Sequence, residues 1–241
     1  MKSSLAFSTH SNVAGYAPFS QLLDKNDIIG LLWTVDSQIY TSRCFSALGQ
    51  CTGERGLFNH SVTITDMEIY FEKKCLYFSD AIGQLYWLDL SVDWSTALHL
   101  QSNLFVTEVS VDWLSNQLYV FTNRSQLYKC DASLKNCLSI HYLPLPYTPH
   151  SLVADPYNGF LYWLDSKGAM VRLDLAKSDS DADVVIPSNV VTYSVSFNFY
   201  DLYSIYKYNE THSEITLAYL NGQNEQMHIP LNHSATLHTL T

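Results

Sequence analysis

Leu161-Tyr162-Trp163-Leu164-Asp165 decides the fold, because the same string returns in looser form at Leu76-Tyr77-Phe78-Ser79-Asp80 and at Leu118-Tyr119-Val120-Phe121-Thr122, with a weaker Leu202-Tyr203 behind it. The leading leucines stand 42, 43 and 41 residues apart. A short apolar and aromatic run of this kind is a strand buried on both faces. A period of about forty residues is that of four-stranded blades in a β-propeller. The expected fold class is therefore all-β, a propeller of four-stranded antiparallel blades.

The rest of each unit can be laid out around that strand. In one copy Val109-Ser110-Val111-Asp112 is strand one, Leu118 to Thr122 strand two, Gln126 to Asp131 strand three and Leu138 to Tyr142 strand four. In the next, Leu152 to Asp155, Leu161 to Asp165, Met170 to Asp174 and Val184 to Ile186 take the same places. Each piece has strand length and composition. Gly83, Asn123 and Gly168 are expected in the turns between strands two and three, where positive φ is needed. Asp155-Pro156-Tyr157-Asn158-Gly159 reads as a turn between strands one and two, and Pro144, Pro146 and Pro149 fall on a link, where no ladder bond is lost. Counting by the period puts five blades at about 19–61, 62–105, 106–148, 149–190 and 191–233. Residues 1–18 then end a preceding blade and 234–241 start a following one, a six-bladed plan with an incomplete closing blade.

Composition agrees. The 241 residues are 47% hydrophobic and 15% charged, enough for one large core, and 17 Tyr with 11 Phe favour strands over helix or disorder. No run approaches the roughly 18 apolar residues of a membrane span, so no direct membrane contact is expected of this segment. A formal charge of −10 repels phosphate backbones and anionic headgroups, which argues against nucleic acid and for a protein partner. The opening residues, Met1 to His10, lack the apolar run of a secretory signal, so export has to be read elsewhere.

Two features point to the secretory route. Asn59-His60-Ser61, Asn123-Arg124-Ser125, Asn209-Glu210-Thr211 and Asn232-His233-Ser234 match the N-glycosylation acceptor pattern. Cys44 and Cys51 are seven apart, as are Cys130 and Cys137, and the second pair follows the first by 86 residues, twice 43. A pair spanning one hairpin turn is within disulfide reach and would join strands three and four of a blade. Cys75 is left over within an apolar run and reads as a buried free thiol.

Residues 161–165, with Asp155 six residues before the leucine, resemble the repeat of the YWTD class of six-bladed propellers, which includes the LDL-receptor relatives, nidogen and the ectodomains of Ros/sevenless-type receptor tyrosine kinases. The resemblance runs from about residue 19 to 232. The chain departs from the LDL-receptor pattern: no Leu-Asp-Gly follows strand three and no copy keeps the Thr. Degenerate strings such as Leu85-Tyr86-Trp87-Leu88-Asp89 on strand three look more like the Ros/sevenless type, whose kinase domain is absent here. The resemblance implies a non-catalytic extracellular module of a single-pass plasma-membrane receptor, serving protein-ligand binding or rigid spacing beside neighbouring ectodomain modules. The alternatives are an LDL-receptor-related or nidogen-like adhesion or endocytic propeller, or a secreted protein. It also implies that strand-two aromatics pack between blades while the acid bonds backbone across them, which would make Tyr77, Asp80, Tyr119, Tyr162, Trp163, Asp165, Asp112 and Asp155 structural. Thr122 replaces the acid in one blade.

Sharper chemistry finds little support. There is no G-x-S-x-G elbow, phosphate loop, HExxH helix or paired CxxC. No cofactor or metal is expected, and a calcium-dependent propeller hydrolase is the weaker rival. Asp179-Ser180-Asp181-Ala182-Asp183 alternates acids but lacks the Gly and closing Glu of an EF-hand and reads as a solvated turn. Histidine as a residue type suits sensing of endosomal acidity, which makes His60, His141, His150 and His233 candidates, but loop histidines of this kind read as surface residues. Turns between strands two and three emerge on the same face as the interblade links, so all four sequons share it. The opposite face has no sequon, and Phe45, Trp113 and Tyr157 near its turns are the candidate partner contacts.

Overall fold

This computed structural model describes residues 13–19, 28–45, 50–70, 72–91, 97–100, 103–143, 148–177, 182–187, 190–196, 201–209, 212–219 and 227–231, with side chains described over 34–41, 55–70, 72–91, 97, 100, 103–143, 148–177, 182–187 and 190. Among these residues there is no helix. Five four-stranded sheets form, each an antiparallel meander of consecutive strands. Sheet one holds β1 (Val13–Phe19), β2 (Ile28–Val35), β3 (Gln38–Phe45) and β4 (Gln50–Asn59), and sheet two β5 (Ile64–Tyr70), β6 (Cys75–Asp80), β7 (Leu85–Asp89) and β8 (Ala97–Leu100). Sheet three holds β9 (Val106–Asp112), β10 (Gln117–Thr122), β11 (Gln126–Asp131) and β12 (Cys137–Tyr142). Sheet four holds β13 (His150–Asp155), β14 (Phe160–Leu164), β15 (Met170–Asp174) and β16 (Asp183–Ile186). Sheet five holds β17 (Val190–Ser196), β18 (Asp201–Asn209), β19 (His212–Tyr219) and β20 (Met227–Leu231).

The chain divides into two compact units between Thr107 and Glu108. In the first, Leu76 and Phe78 of β6 pack with Ile39 of β3 and with Ile64, Met67 and Ile69 of β5. Every residue of β6 is buried, which is why its sequence reads as one continuous run. In the second unit, Leu161 and Trp163 of β14 join Tyr119, Phe121 and Leu127 of sheet three, while Tyr162 and Leu164 join Met170, Ile186 and Val190. Successive strand residues point to opposite faces. The Leu-Tyr-Trp-Leu string therefore reaches sheet three with one set of side chains and the start of sheet five with the other. Trp163 meets Phe121 edge to face at 5.4 Å between centroids, a favoured aromatic geometry.

The expected boundary between residues 18 and 19 falls inside β1, whose Tyr16 to Phe19 pair with Gly30 to Trp33 of β2. Val13–Phe19 is thus the first strand of sheet one rather than the tail of a preceding blade. A fixed period misplaced it because residues 20–27 separate it from β2, a longer spacer than between the equivalent strands of sheets three and four. Residues 234–241 lie outside the described residues.

A second difference concerns the turns between strands two and three. The positive-φ residue there is Gly83 (80°) in sheet two and Gly168 (72°) in sheet four, but Ser125 (55°), not Asn123, in sheet three. Register explains it: each of these residues lies three after the last position of its strand-two string, Asp80, Thr122 or Asp165. The left-handed turn carries a common function. The carbonyls of Asp36, Gly83 and Gly168 accept the N–H of Ile64, Val106 and Val190 at 2.8, 2.9 and 3.0 Å, so each turn holds the entry into the next sheet.

Candidate functional site

Acids at strand ends shape seven of the described turns. After strand one, Asp112 Oδ1 accepts the N–H groups of Leu114 and Ser115 (3.1 and 3.0 Å), and Asp155 Oδ1 those of Tyr157 and Asn158 (both 3.1 Å). After strand two, Asp80 Oδ1 accepts Ile82 and Gln84 N–H, and Asp165 Oδ1 accepts Lys167 and Ala169 N–H. After strand three, Asp89, Asp131 and Asp174 accept the N–H of Ser91, Ser133 and Ala176. These are Asx turns, in which the side chain replaces backbone partners that a turn lacks. The Asp165 carboxylate bonds within its own turn, whereas Asp80 also reaches back to His60 Nε2 at 3.1 Å. Where Thr122 replaces the acid, its hydroxyl donates to the Gln126 carbonyl at 3.4 Å.

Bonds across sheets come instead from residues that sequence reasoning missed. Glu108 Oε2 accepts Ser151 N–H at 2.8 Å and Ser110 Oγ accepts Ala154 N–H at 2.9 Å. The partners lie 43 and 44 residues apart, so the bonds join corresponding strands one repeat on. A glutamate inside the strand Val-Thr-Glu-Val-Ser-Val-Asp was the available signal. His60, beside Phe58, Phe78 and Tyr86, was a surface expectation, but its side chain is 10% exposed.

Capping by Asp112 and Asp155 brings two candidate contacts together. Trp113 and Tyr157, on the strand one-to-two turns of sheets three and four, meet edge to face at 5.1 Å. Tyr157 is 55% exposed and neighbouring Leu114 57%. Phe45 ends β3, and its side chain lies outside the described residues. A meander puts the three-to-four turn at the same end of a sheet as the one-to-two turn. In sheet three that turn is closed by the Cys130–Cys137 disulfide, with Leu138 68% exposed beside it. Cys44 and Cys51 are likewise opposite one another in the β3–β4 ladder. Cys75 is a buried free thiol whose ionisation burial pushes up.

At the end bearing Trp113 and Tyr157 the strand-end carboxylates are held by their own turns. Asp112 and Asp155 are buried and occupied by their turns. Partial burial pushes the Asp131 carboxyl up, but bonds from Ser133, Asn136 and Lys135 carry it below the ordinary range. The Ala176 N–H and Lys177 do the same for Asp174. Burial, with Asp112 nearby, pushes the Tyr119 phenol up to about 12, and burial with Asp155 raises that of Tyr162, so both hydroxyls stay protonated. No cluster able to hold a metal occurs among the described residues. At the other end of sheet three, Asn123 sits exposed in the β10–β11 turn; in the first unit, Asn59 closes β4 and is exposed. Asn209 ends β18 with its side chain outside the described residues, as is all of Asn232.

Comparison with solved structures defines the class. The chain superposes on nidogen in a nidogen/laminin complex with a TM-score of 0.69 at 12% identity, covering 87% of this chain and 80% of that one. It superposes on the β-propeller domain of Cps50 (Swd1) from Myceliophteria thermophila with a TM-score of 0.55 at 13% identity, covering 86% and 68%. The fold is all-β and of the propeller class. No family model matches the sequence. Its sequence relatives are ROS receptor tyrosine kinases. It is 28% identical over 193 residues to proto-oncogene tyrosine-protein kinase ROS of Gallus gallus, a match covering 74% of this chain, and 30% identical over 108 residues to that of Mus musculus, covering 42%. The matches span only 8% and 4% of those receptors, fall in the ectodomain region and leave the kinase domain unmatched.

Proposed function

We propose that this chain is a non-catalytic extracellular propeller module of a ROS-type receptor tyrosine kinase, exposed outside a single-pass plasma-membrane protein and serving protein-ligand binding. The similarity to the ROS ectodomain region over 74% of the chain carries the reading. The disulfide hairpin of sheet three supports an oxidising compartment. The end of sheets three and four that bears Trp113, Leu114 and Tyr157 has the aromatic character of an interface centre. The nidogen of the laminin complex is a further propeller that assembles with a protein. The strand-two residues Tyr77, Tyr119, Tyr162 and Trp163 and the acids Asp80, Asp112, Asp155 and Asp165 build the frame, and glycans on Asn59, Asn123, Asn209 and Asn232 keep the sequon-bearing sheet ends clear of partners.

The test displays the secreted chain on an array of recombinant extracellular domains. Trp113→Ala and Tyr157→Ala are each expected to weaken a saturable contact at least tenfold, about 1.4 kcal/mol, without a change in melting cooperativity. Saturable binding that both variants keep would place recognition elsewhere, and an array with no binder would leave rigid spacing as the role.

A further inference from the structure

Sheet three breaks a rule that its neighbours keep. Ile64, Val106 and Val190 begin strand one of their sheets, are buried, and donate N–H to the left-handed residue of the preceding two-to-three turn. Spacings of 42, 43 and 41 residues put Pro149, also buried, at the missing member of the series Ile64, Val106, Pro149, Val190. Proline has no N–H to give. The Ser125 carbonyl is satisfied instead by Leu143 N–H at 3.0 Å, from the residue just after β12. A buried carbonyl needs a donor, and here the outer strand of the same sheet supplies it.

The result brings Tyr142 beside a sequon. Tyr142 ends β12, pairs in register with Gln126 and is 55% exposed. Ser125, whose carbonyl holds Leu143, is the third residue of Asn123-Arg124-Ser125. Three chain steps and one cross-strand step separate Asn123 from Tyr142, roughly 16 Å at most between Cα atoms. Tyr142 stands at the end of its sheet away from the Trp113 turn, so its apolar exposure is not continuous with that contact surface.

We propose that Tyr142 is the seat of an N-linked glycan on Asn123, with the first sugars of the glycan stacked on the phenol ring. The inference rests on the secretory reading above. In the modification, Asn123 Nδ2 bonds to the anomeric carbon of a lipid-linked oligosaccharide, that carbon's bond to the lipid pyrophosphate breaks, and the amide proton leaves with the pyrophosphate. The sugar's axial C–H groups present an apolar face to the electron-rich ring face, and its hydroxyls remain in water. Covering an exposed tyrosine this way removes apolar surface that the sheet leaves open.

The whole chain, secreted from mammalian cells, provides the test. Peptide mass spectrometry is expected to find Asn123 occupied. Asn123→Gln should then lower Tm by about 2–4 °C, the shift one apolar contact makes in a chain of this length, and should do so far less in a Tyr142→Ser background. Enzymatic removal of glycans from the folded protein should raise hydroxyl-radical labelling of Tyr142 several-fold and leave Tyr157 unchanged, a readout that does not require the variant to fold. An unoccupied Asn123 overturns the proposal and leaves the receptor reading to the binding array. An occupied Asn123 with equal Tm losses in both backgrounds, or unchanged labelling of Tyr142, overturns the stacking alone.

Discussion

Two glycines show how differently the same backbone requirement is enforced. Gly83 has φ of 80°, and a Cβ there would lie 2.3 Å from Cγ of Phe105, whose ring covers the turn. Gly159 has φ of 69°, and a Cβ there meets nothing within 4 Å. The left-handed conformation alone costs a non-glycine residue about 1–2 kcal/mol. Gly159→Ala is expected to lose about that much in urea unfolding. Gly83→Ala adds overpacking against Phe105 and should lose about 3 kcal/mol or more. Phe105→Ala should recover part of the Gly83→Ala loss and none of the Gly159→Ala loss, so equal costs for the two glycine variants would exclude a steric role for Phe105.

At the scale of the element, the hairpin is a strand pair plus an acid that closes its turn, and the acid makes the closure pH-dependent. Hydrogen bonds from the Ser91 hydroxyl and N–H hold Asp89 below the ordinary carboxylate range, and Asp131 and Asp174 are lowered by their own turns. A carboxyl lowered on folding contributes stability above its unfolded value of about 3.9, and the contribution is lost as pH falls through the folded value. Asp131→Ala should therefore be less stable than the parent at pH 7, and the gap should narrow below about pH 4. A gap that stays constant to pH 3 would remove the carboxylate from the account. The strand plan of these hairpins was legible because burial on both faces writes itself as Leu-Tyr-aromatic strings of fixed period. The turn chemistry was not. Ser125 takes a left-handed conformation that composition assigns to Asn123, and Glu108 gains its partner only when the next sheet is in place. The candidate contact surface was half legible: Trp113 and Tyr157 stood out as turn aromatics, but their mutual contact follows turns closed by two separate acid caps.

At the scale of the molecule, the repeat decides which parts are stapled, and this gives the chain a dependence on its compartment. The Cys130–Cys137 bond closes a loop of sequence separation 7 on the outer pair of strands in sheet three, where β12 has a partner on one side only. Closing so short a loop restricts the unfolded chain by about 2–3 kcal/mol on the chain-entropy estimate, which here falls on an outer strand that lacks a second ladder. Cys44 and Cys51 occupy the same register in sheet one, and the same physics predicts a second bridge there. Material from an oxidising host should show an intact mass short by the hydrogens of two disulfides, with Cys75 as the single thiol modified by iodoacetamide after unfolding. The paired substitution Cys130→Ser with Cys137→Ser should cost about 2–3 kcal/mol in urea, and Cys44→Ser with Cys51→Ser a similar amount. Reduction of the native chain should reproduce the combined loss. If Cys44 reacts with iodoacetamide in the folded oxidised protein, the second bridge is absent, and the 86-residue spacing of the cysteine pairs reflects packing in sheet one rather than a bond.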